Sequence, residues 1–246
     1  MKTEQIQFKI DSENLNIPFI IFQNDYIGNV IKQFGCWEPI VTGKFIELIK
    51  QYNFQHFVDV GAHIGYYSRL FQEINPKGFL TSIEPNPITR EMALRENLSE
   101  KAKIIPFLIG NELDLWEPLE ISATNTGGSR IGSSGTIQIK TGSLSDFINL
   151  SSVDFMKIDV EGAEGDVLLE LHECSLLKHI IVEISPVINP ESAELAVKTL
   201  LKNKFTLFDL GGETGRLPTN CPPLKQISST EILKLKQVNV YGFRQD

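Results

Sequence analysis

From His56 onward, apolar runs of strand length alternate with segments of helical periodicity, and no other feature of the chain constrains its fold as tightly. HFVDVG, GFLTSIEP and AKIIPFLIG read as strands; IGYYSRLFQEI and PITREMALRENLSE read as helices between them, the second opened by Pro87. After an interruption the pattern resumes with DFMKIDV, GAEGDVLLELHE, HIIVEIS, ESAELAVKTLLKN, KFTLFDLG and QVNVYGFR, strand and helix in turn up to the last two strands. Strands that are apolar on both faces need helices above and below them. The reading is therefore an α/β domain built on a mostly parallel sheet of seven strands. No periodic helix separates the last two strands, which are expected to form an antiparallel pair.

Two segments stand outside this pattern. Residues 1–53 contain QIQFKI and IPFIIF, read as strands around a DSENLN turn, followed by the helical EPIVTGKFIELIKQY. They are expected to form an N-terminal cap on a domain spanning 54–246. Residues 111–142 are read as an insertion, with ELDLWEPLEIS and GTIQIKTG as antiparallel strands flanking SATNTGGSRIGSSG. A Gly/Ser-rich loop of this length is expected to be mobile without substrate and to close over it. GGETGRLPTNCPPLKQISS, before the last strand, reads as loop.

Composition narrows the class of protein. At 41% hydrophobic and 22% charged residues the chain has the balance of a soluble globular domain. No apolar run reaches the roughly 18 residues of a membrane span, and residues 1–16 alternate polar and apolar without an apolar core, so no export signal is expected. The net charge of −8 is the wrong sign for neutralising phosphates, so neither nucleic acid nor an anionic membrane is expected as a partner. Cys36, Cys174 and Cys221 are odd in number and lack metal-ligand spacing, which fits reduced thiols in the cytoplasm. Nothing in the sequence specifies an oligomeric state.

Chemistry concentrates at three strand ends. Asp59-Val60-Gly61-Ala62-His63-Ile64-Gly65 is a buried strand ending in a turn that opens a helix, the place where open α/β sheets bind nucleotide-like ligands. Gly61 would permit the tight turn and Gly65 a close approach of backbone to ligand. The G-x-x-x-G spacing lacks the pyrophosphate fingerprint, so a ligand without pyrophosphate fits better. Glu84, in SIEPNP, follows about 20 residues on, where a carboxylate can accept both hydroxyls of a ribose. In Lys157-Ile158-Asp159-Val160-Glu161-Gly162-Ala163-Glu164, Asp159 and Glu161 point to one side of a strand while Glu164 enters the first helical turn.

Together FVDVGAHIGYYS, SIEPNP and MKIDVEGAE resemble the FkbM family of S-adenosylmethionine-dependent methyltransferases over roughly residues 55–210. The resemblance implies a class I methyltransferase fold, Rossmann-like, with an antiparallel last strand. It also implies S-adenosylmethionine as cofactor. Its methionine part would lie on the turn formed by Asp59, Gly61, His63, Ile64 and Gly65, and its ribose on Glu84, with Asn86 counted among the cofactor residues. His63 stands where the family motif has Asn. KIDVEGAE would lie beside the transferred methyl group.

The implied reaction is methyl transfer to an acceptor, with oxygen first and nitrogen second, on a small molecule, sugar, polyketide or peptide. A hydroxyl must lose its proton to react, and Asp159 or Glu161 is the expected base. Glu183, ending IIVEIS on the same edge, is a third catalytic candidate. Arg130 and Glu164 are the candidates for substrate binding. Asp159, Glu161 and Glu183 offer the oxygen ligands Mg²⁺ prefers, but catalysis without a metal is expected. His56, His172 and His179 read as structural, and Trp37 and Trp116 as packed aromatics or cleft walls. Two rival readings are a nicotinamide-dependent oxidoreductase and a binding module that kept the fold without catalysis.

Overall fold

A computed structural model describes residues 1–10, 15–96, 98–110, 114–122, 125–211, 215–218 and 222–245. The chain opens with β1 (Thr3–Ile10) and β2 (Leu15–Phe22), an antiparallel hairpin. Helices α1 (Tyr26–Phe34) and α2 (Pro39–Gln51) follow. Helix α1 was not anticipated, although its ends obey ordinary capping rules: the Asp25 carboxylate accepts from the Gly28 amide, and Gly35 takes the left-handed C-terminal conformation at φ 82°.

The alternating region keeps the expected order of strands and helices. It gives β3 (His56–Val60), α3 (Tyr66–Ile74), β4 (Phe79–Ile83), α4 (Pro87–Arg95) and β5 (Ala102–Ile105). AKIIPFLIG, read as one strand, divides: its end forms β6 (Leu108–Ile109), which joins β7 (Trp116–Glu120), β8 (Arg130–Ile131) and β9 (Ile137–Gly142) of the insertion in a separate four-stranded sheet, with β7 and β9 antiparallel. The remainder comprises β10 (Phe155–Ile158), α5 (Glu164–Val167), β11 (His179–Ile184), α6 (Pro190–Lys202), β12 (Thr206–Gly211), β13 (Lys225–Gln226), α7 (Ser229–Ile232) and β14 (Val238–Phe243). The GAEGDVLLELHE segment is one α-helical turn continued as a 3-10 helix over Leu168–Glu173, not the single helix expected.

The main sheet runs β13-β12-β14-β11-β10-β3-β4-β5. It contains the seven anticipated strands and adds the two-residue β13 at one edge. β14 is antiparallel to both neighbours and lies between β11 and β12. Alternate residues of each strand serve opposite faces. Val58, Met156 and Ile180 join Ala193, Val197 and Leu200 of α6 on one side. Phe57, Phe155 and Ile181 join Phe45 of α2, Phe71 of α3, and Phe8 and Phe19 of the hairpin on the other. The N-terminal hairpin thus shares the sheet's own core, with the Phe8 and Tyr66 rings 5.1 Å apart. Cys36 and Cys174 are buried free thiols, and Cys221 lies outside the described residues. No helix among the described residues is long and apolar enough to cross a membrane.

Candidate active site

The carboxyl ends of β3, β4, β10 and β11 open into one cavity of about 1240 Å³, lined also by α1, the α1–α2 connection and the insertion. At its floor, Gly61 takes φ 80°, and a Cβ there would sit 1.7 Å from the Asp159 carbonyl oxygen. Glycine is required because the end of β10 presses against this turn. The Gly61 and Ala62 amides donate to the Ile83 carbonyl at 2.9 and 3.1 Å, tying the turn to β4. Gly65 has φ 85°, and a Cβ there would lie 3.1 Å from Ala93 of α4, so this glycine also permits a close approach between the start of α3 and α4. Ile64 is part of the apolar core, and neither residue lines the cavity. Asp59 does line it. Its Oδ2 accepts from the Ser68 hydroxyl at 2.6 Å, while the buried Oδ1 has no partner among the described residues.

Glu84 is held by the elements around it. Its Oε2 accepts from the His63 amide at 2.7 Å, and its Oε1 from the Asn86 amide at 2.9 Å and the Thr89 hydroxyl at 3.0 Å. Burial pushes its carboxyl up to about 7 against these bonds. Asn86 caps α4 through the Ile88 amide and donates to Ser129 of the insertion at 3.2 Å. The His63 ring turns toward the insertion, with Nε2 2.7 Å from the Thr126 hydroxyl, which itself donates to Asp25 at 3.0 Å. The imidazole is therefore the donor of the pair. Burial holds its pKa down to about 4, so it is neutral at pH 7.

These bonds connect the described part of the loop expected to be mobile to other segments of the chain. Thr126 reaches Asp25 and His63, and Ser129 reaches Asn86, so this stretch of the insertion is pinned over the turn by side chains of three other segments. Arg130 lines the cavity with 60% of its side chain exposed and faces Glu120 of the neighbouring strand at 3.7 Å.

Acidic groups converge beyond β3. Asp159 accepts from the Lys157 ammonium at 2.9 Å. Burial alone would push Lys157 down, but Asp159, Glu38 and Asp59 together lift it above its ordinary range, and its ammonium lies 4.6 Å from the centre of the Tyr67 ring. Glu161 has φ 46°, a left-handed conformation that is strained for a residue with a side chain. Burial, then repulsion from Asp159 and Glu164, pushes it up to about 7. Glu183 accepts from the Gln237 side chain and is raised well above the carboxylate range by burial and by Asp159. Glu164 does not reach the cavity. It is fully buried, with its Oε1 accepting from the Gly162 amide at 2.9 Å, and so braces the turn after β10. Among the described residues no group of three or more His, Cys, Asp or Glu side chains is placed to hold a metal ion.

The family model described as "Methyltransferase FkbM domain" matches residues 59–207, more than half of the chain. The chain belongs to the FkbM methyltransferase family. Methyltransferase 1 of Beauveria bassiana is 27% identical to it over 177 residues, covering 60% of this chain and 70% of that protein. Methyltransferase sdnD of Sordaria araneosa is 26% identical over 188 residues, covering 60% and 71%. Among solved structures, the O-methyltransferase TomG of Streptomyces achromogenes aligns with a TM-score of 0.46 at 11% identity, covering 83% of this chain and 80% of that one.

Sequence reasoning missed several groups of the cavity wall, among them Glu38 and Asn239 outside the FkbM match and Lys157 within it. Glu38, ahead of α2, has φ 42° and accepts from Tyr67 at 2.9 Å and from Asn239 of β14 at 2.8 Å. Its signal was the EP pair at the start of a helix, where Pro39 marks the first turn and an acid is ordinarily only a dipole partner. Lys157 was overlooked as a buried cation because a lysine inside an apolar strand reads as an edge residue.

Proposed function

We propose that this FkbM methyltransferase moves the methyl group of S-adenosylmethionine to a hydroxyl oxygen of a small molecule, sugar, polyketide or peptide, without a metal ion. The observation that carries the reading is the meeting, in one cavity, of the Gly61 turn, Glu84 and a wall of carboxylates at the ends of β10 and β11. The residues suit the cofactor. Glu84 keeps a lone pair on Oε2 for a ribose hydroxyl, and Asp59, whose buried Oδ1 has no hydrogen-bond partner among the described residues, lines the same cavity. Bound there, S-adenosylmethionine supplies a methyl group on a sulfonium leaving group.

The protein's own part is alignment and proton removal. Asp159 is committed to Lys157, and the pair forms a charged frame beside the reacting groups. Glu161 forms no ion pair among the described residues and has a pKa near neutrality, which suits a general base at physiological pH. The acidic wall favours neutral acceptors over polyanions such as nucleic acids. Titration calorimetry with S-adenosylmethionine, followed by a methylation screen of metabolite extracts, tests the reading. Absence of binding heat removes the cofactor assignment, and turnover only on amines removes oxygen as the acceptor.

A further inference from the structure

We propose that Glu38 and Asn239, from the N-terminal segment and the last strand, form a subsite that binds a neutral hydroxyl group of the acceptor other than the one methylated. The inference rests on the methyltransferase reading above and deepens it. Both residues line the cavity and both are buried, at 8% and 3% exposure. Asn239 Nδ2 donates to Glu38 Oε1, which fixes the orientation of the amide. Its Oδ1 is then buried with no donor among the described residues. A buried carbonyl oxygen left unpaired is unfavourable, and a ligand O–H would satisfy it.

The surrounding geometry supports a ligand role. Glu38 sits at the N-terminal boundary of α2, where a side chain commonly caps the helix, yet it makes no capping bond; in a strained left-handed conformation its carboxylate instead meets Tyr67 and Asn239 in the cavity wall. Strain retained beside a cavity points to use. The position also separates this subsite from the cofactor candidates. In the sheet order β14-β11-β10-β3, Asn239 lies three strand spacings, roughly 14 Å, from the Gly61 turn. Glu183, its register partner on β11, stands between it and the carboxylates of β10.

The chemistry selects a hydroxyl over an amine. Lys157 already places a buried ammonium in the same wall, against Tyr67 and Asp159, and would repel a second cation. A neutral O–H meets the need of Asn239 Oδ1 without adding charge.

The test uses the full chain loaded with S-adenosylhomocysteine. Saturation-transfer difference NMR compares methyl α-D-glucopyranoside with cyclohexylamine as probes. The expected result is binding of the glycoside in preference to the amine, weakened at least tenfold in Asn239→Leu and in Glu38→Gln, with calorimetric affinity for S-adenosylhomocysteine within twofold of wild type. Glu38→Gln is nearly isosteric and carries the test if circular dichroism shows Asn239→Leu to be unfolded. Preference for the amine, no transfer to the glycoside in wild type, or unchanged glycoside binding in folded variants overturns the subsite. In each of those cases retained S-adenosylhomocysteine binding leaves the cofactor reading standing; failure of wild type to bind S-adenosylhomocysteine overturns both.

Discussion

Glu84 and Glu161 carry the strongest expectations for single side chains. Glu84 holds the His63 and Asn86 amides in place and keeps acceptor capacity toward the cavity. Charge-assisted bonds contribute roughly 1.5–3 kcal/mol each, so Glu84→Ala should weaken S-adenosylmethionine binding at least tenfold in titration calorimetry. For Glu161, with a carboxyl pushed up to about 7, the base form grows as pH rises, and the turnover rate should climb through neutrality. Glu161→Gln should remove that rising limb and slow turnover about 10²-fold. If the limb survives in Glu161→Gln and vanishes in Asp159→Asn, the base is Asp159. The acids of this site could be read directly, because carboxylates at the ends of apolar strands are anomalous in sequence. Strand alternation also puts Lys157 and Asp159 on one side, so their pairing was within reach of the sequence; the burial that raises Glu161 was not.

At the level of elements, the insertion behaves as a tethered roof. Asp25 accepts from the Gly28 amide of its own helix and from both the amide and the hydroxyl of Thr126, about a hundred residues away. Asp25→Ala removes a cap, at a cost of about 0.5–2 kcal/mol, and also releases the loop. Amide exchange at Thr126 and Gly128 should then accelerate at least tenfold while β3 and β10 keep their protection. Unchanged exchange would show that the sheet of the insertion, not Asp25, holds the loop in place. Glycine and serine content reports the backbone's freedom; the side chains elsewhere that meet this loop leave no mark on its composition. Helix α1 was missed for a related reason. Its Asp25 and Gly35 boundaries were present in the sequence, but its apolar face becomes evident only against the hairpin.

For the whole molecule, stability should depend on pH through buried acids. Glu96 accepts from the Ile20 amide at 2.7 Å, joining α4 to the hairpin, and burial pushes its carboxyl up to about 7 from an ordinary 4.5. The folded state therefore holds the proton more tightly than the unfolded state between those values. This contribution to stability is complete below about 4.5 and is lost as pH rises through about 7. Denaturant titrations of Glu96→Gln should show a shallower loss of stability over that window than wild type; identical slopes would remove Glu96 as a source. Cofactor binding should act in the opposite sense. At a hundred times its dissociation constant, S-adenosylmethionine should add about 2.7 kcal/mol and raise Tm by several degrees in calorimetry.

The parallel sheet and the edge that carries the chemistry were legible in the residues alone. Strands buried on both faces must be apolar throughout, and the polar groups that interrupt them, Asp59, Glu84, Asp159 and Glu183, stand out against that background. Roles that depend on residues far apart in the chain were not legible. Gly61 is required by the carbonyl of Asp159, Gly65 by Ala93, and the loop at Thr126 is restrained by Asp25. The Glu38–Asn239 pair spans almost the entire chain and exists because β14 turns back between β11 and β12 to face the start of α2. Local periodicity encodes which face of an element is buried; it carries no record of which distant side chain will meet it there.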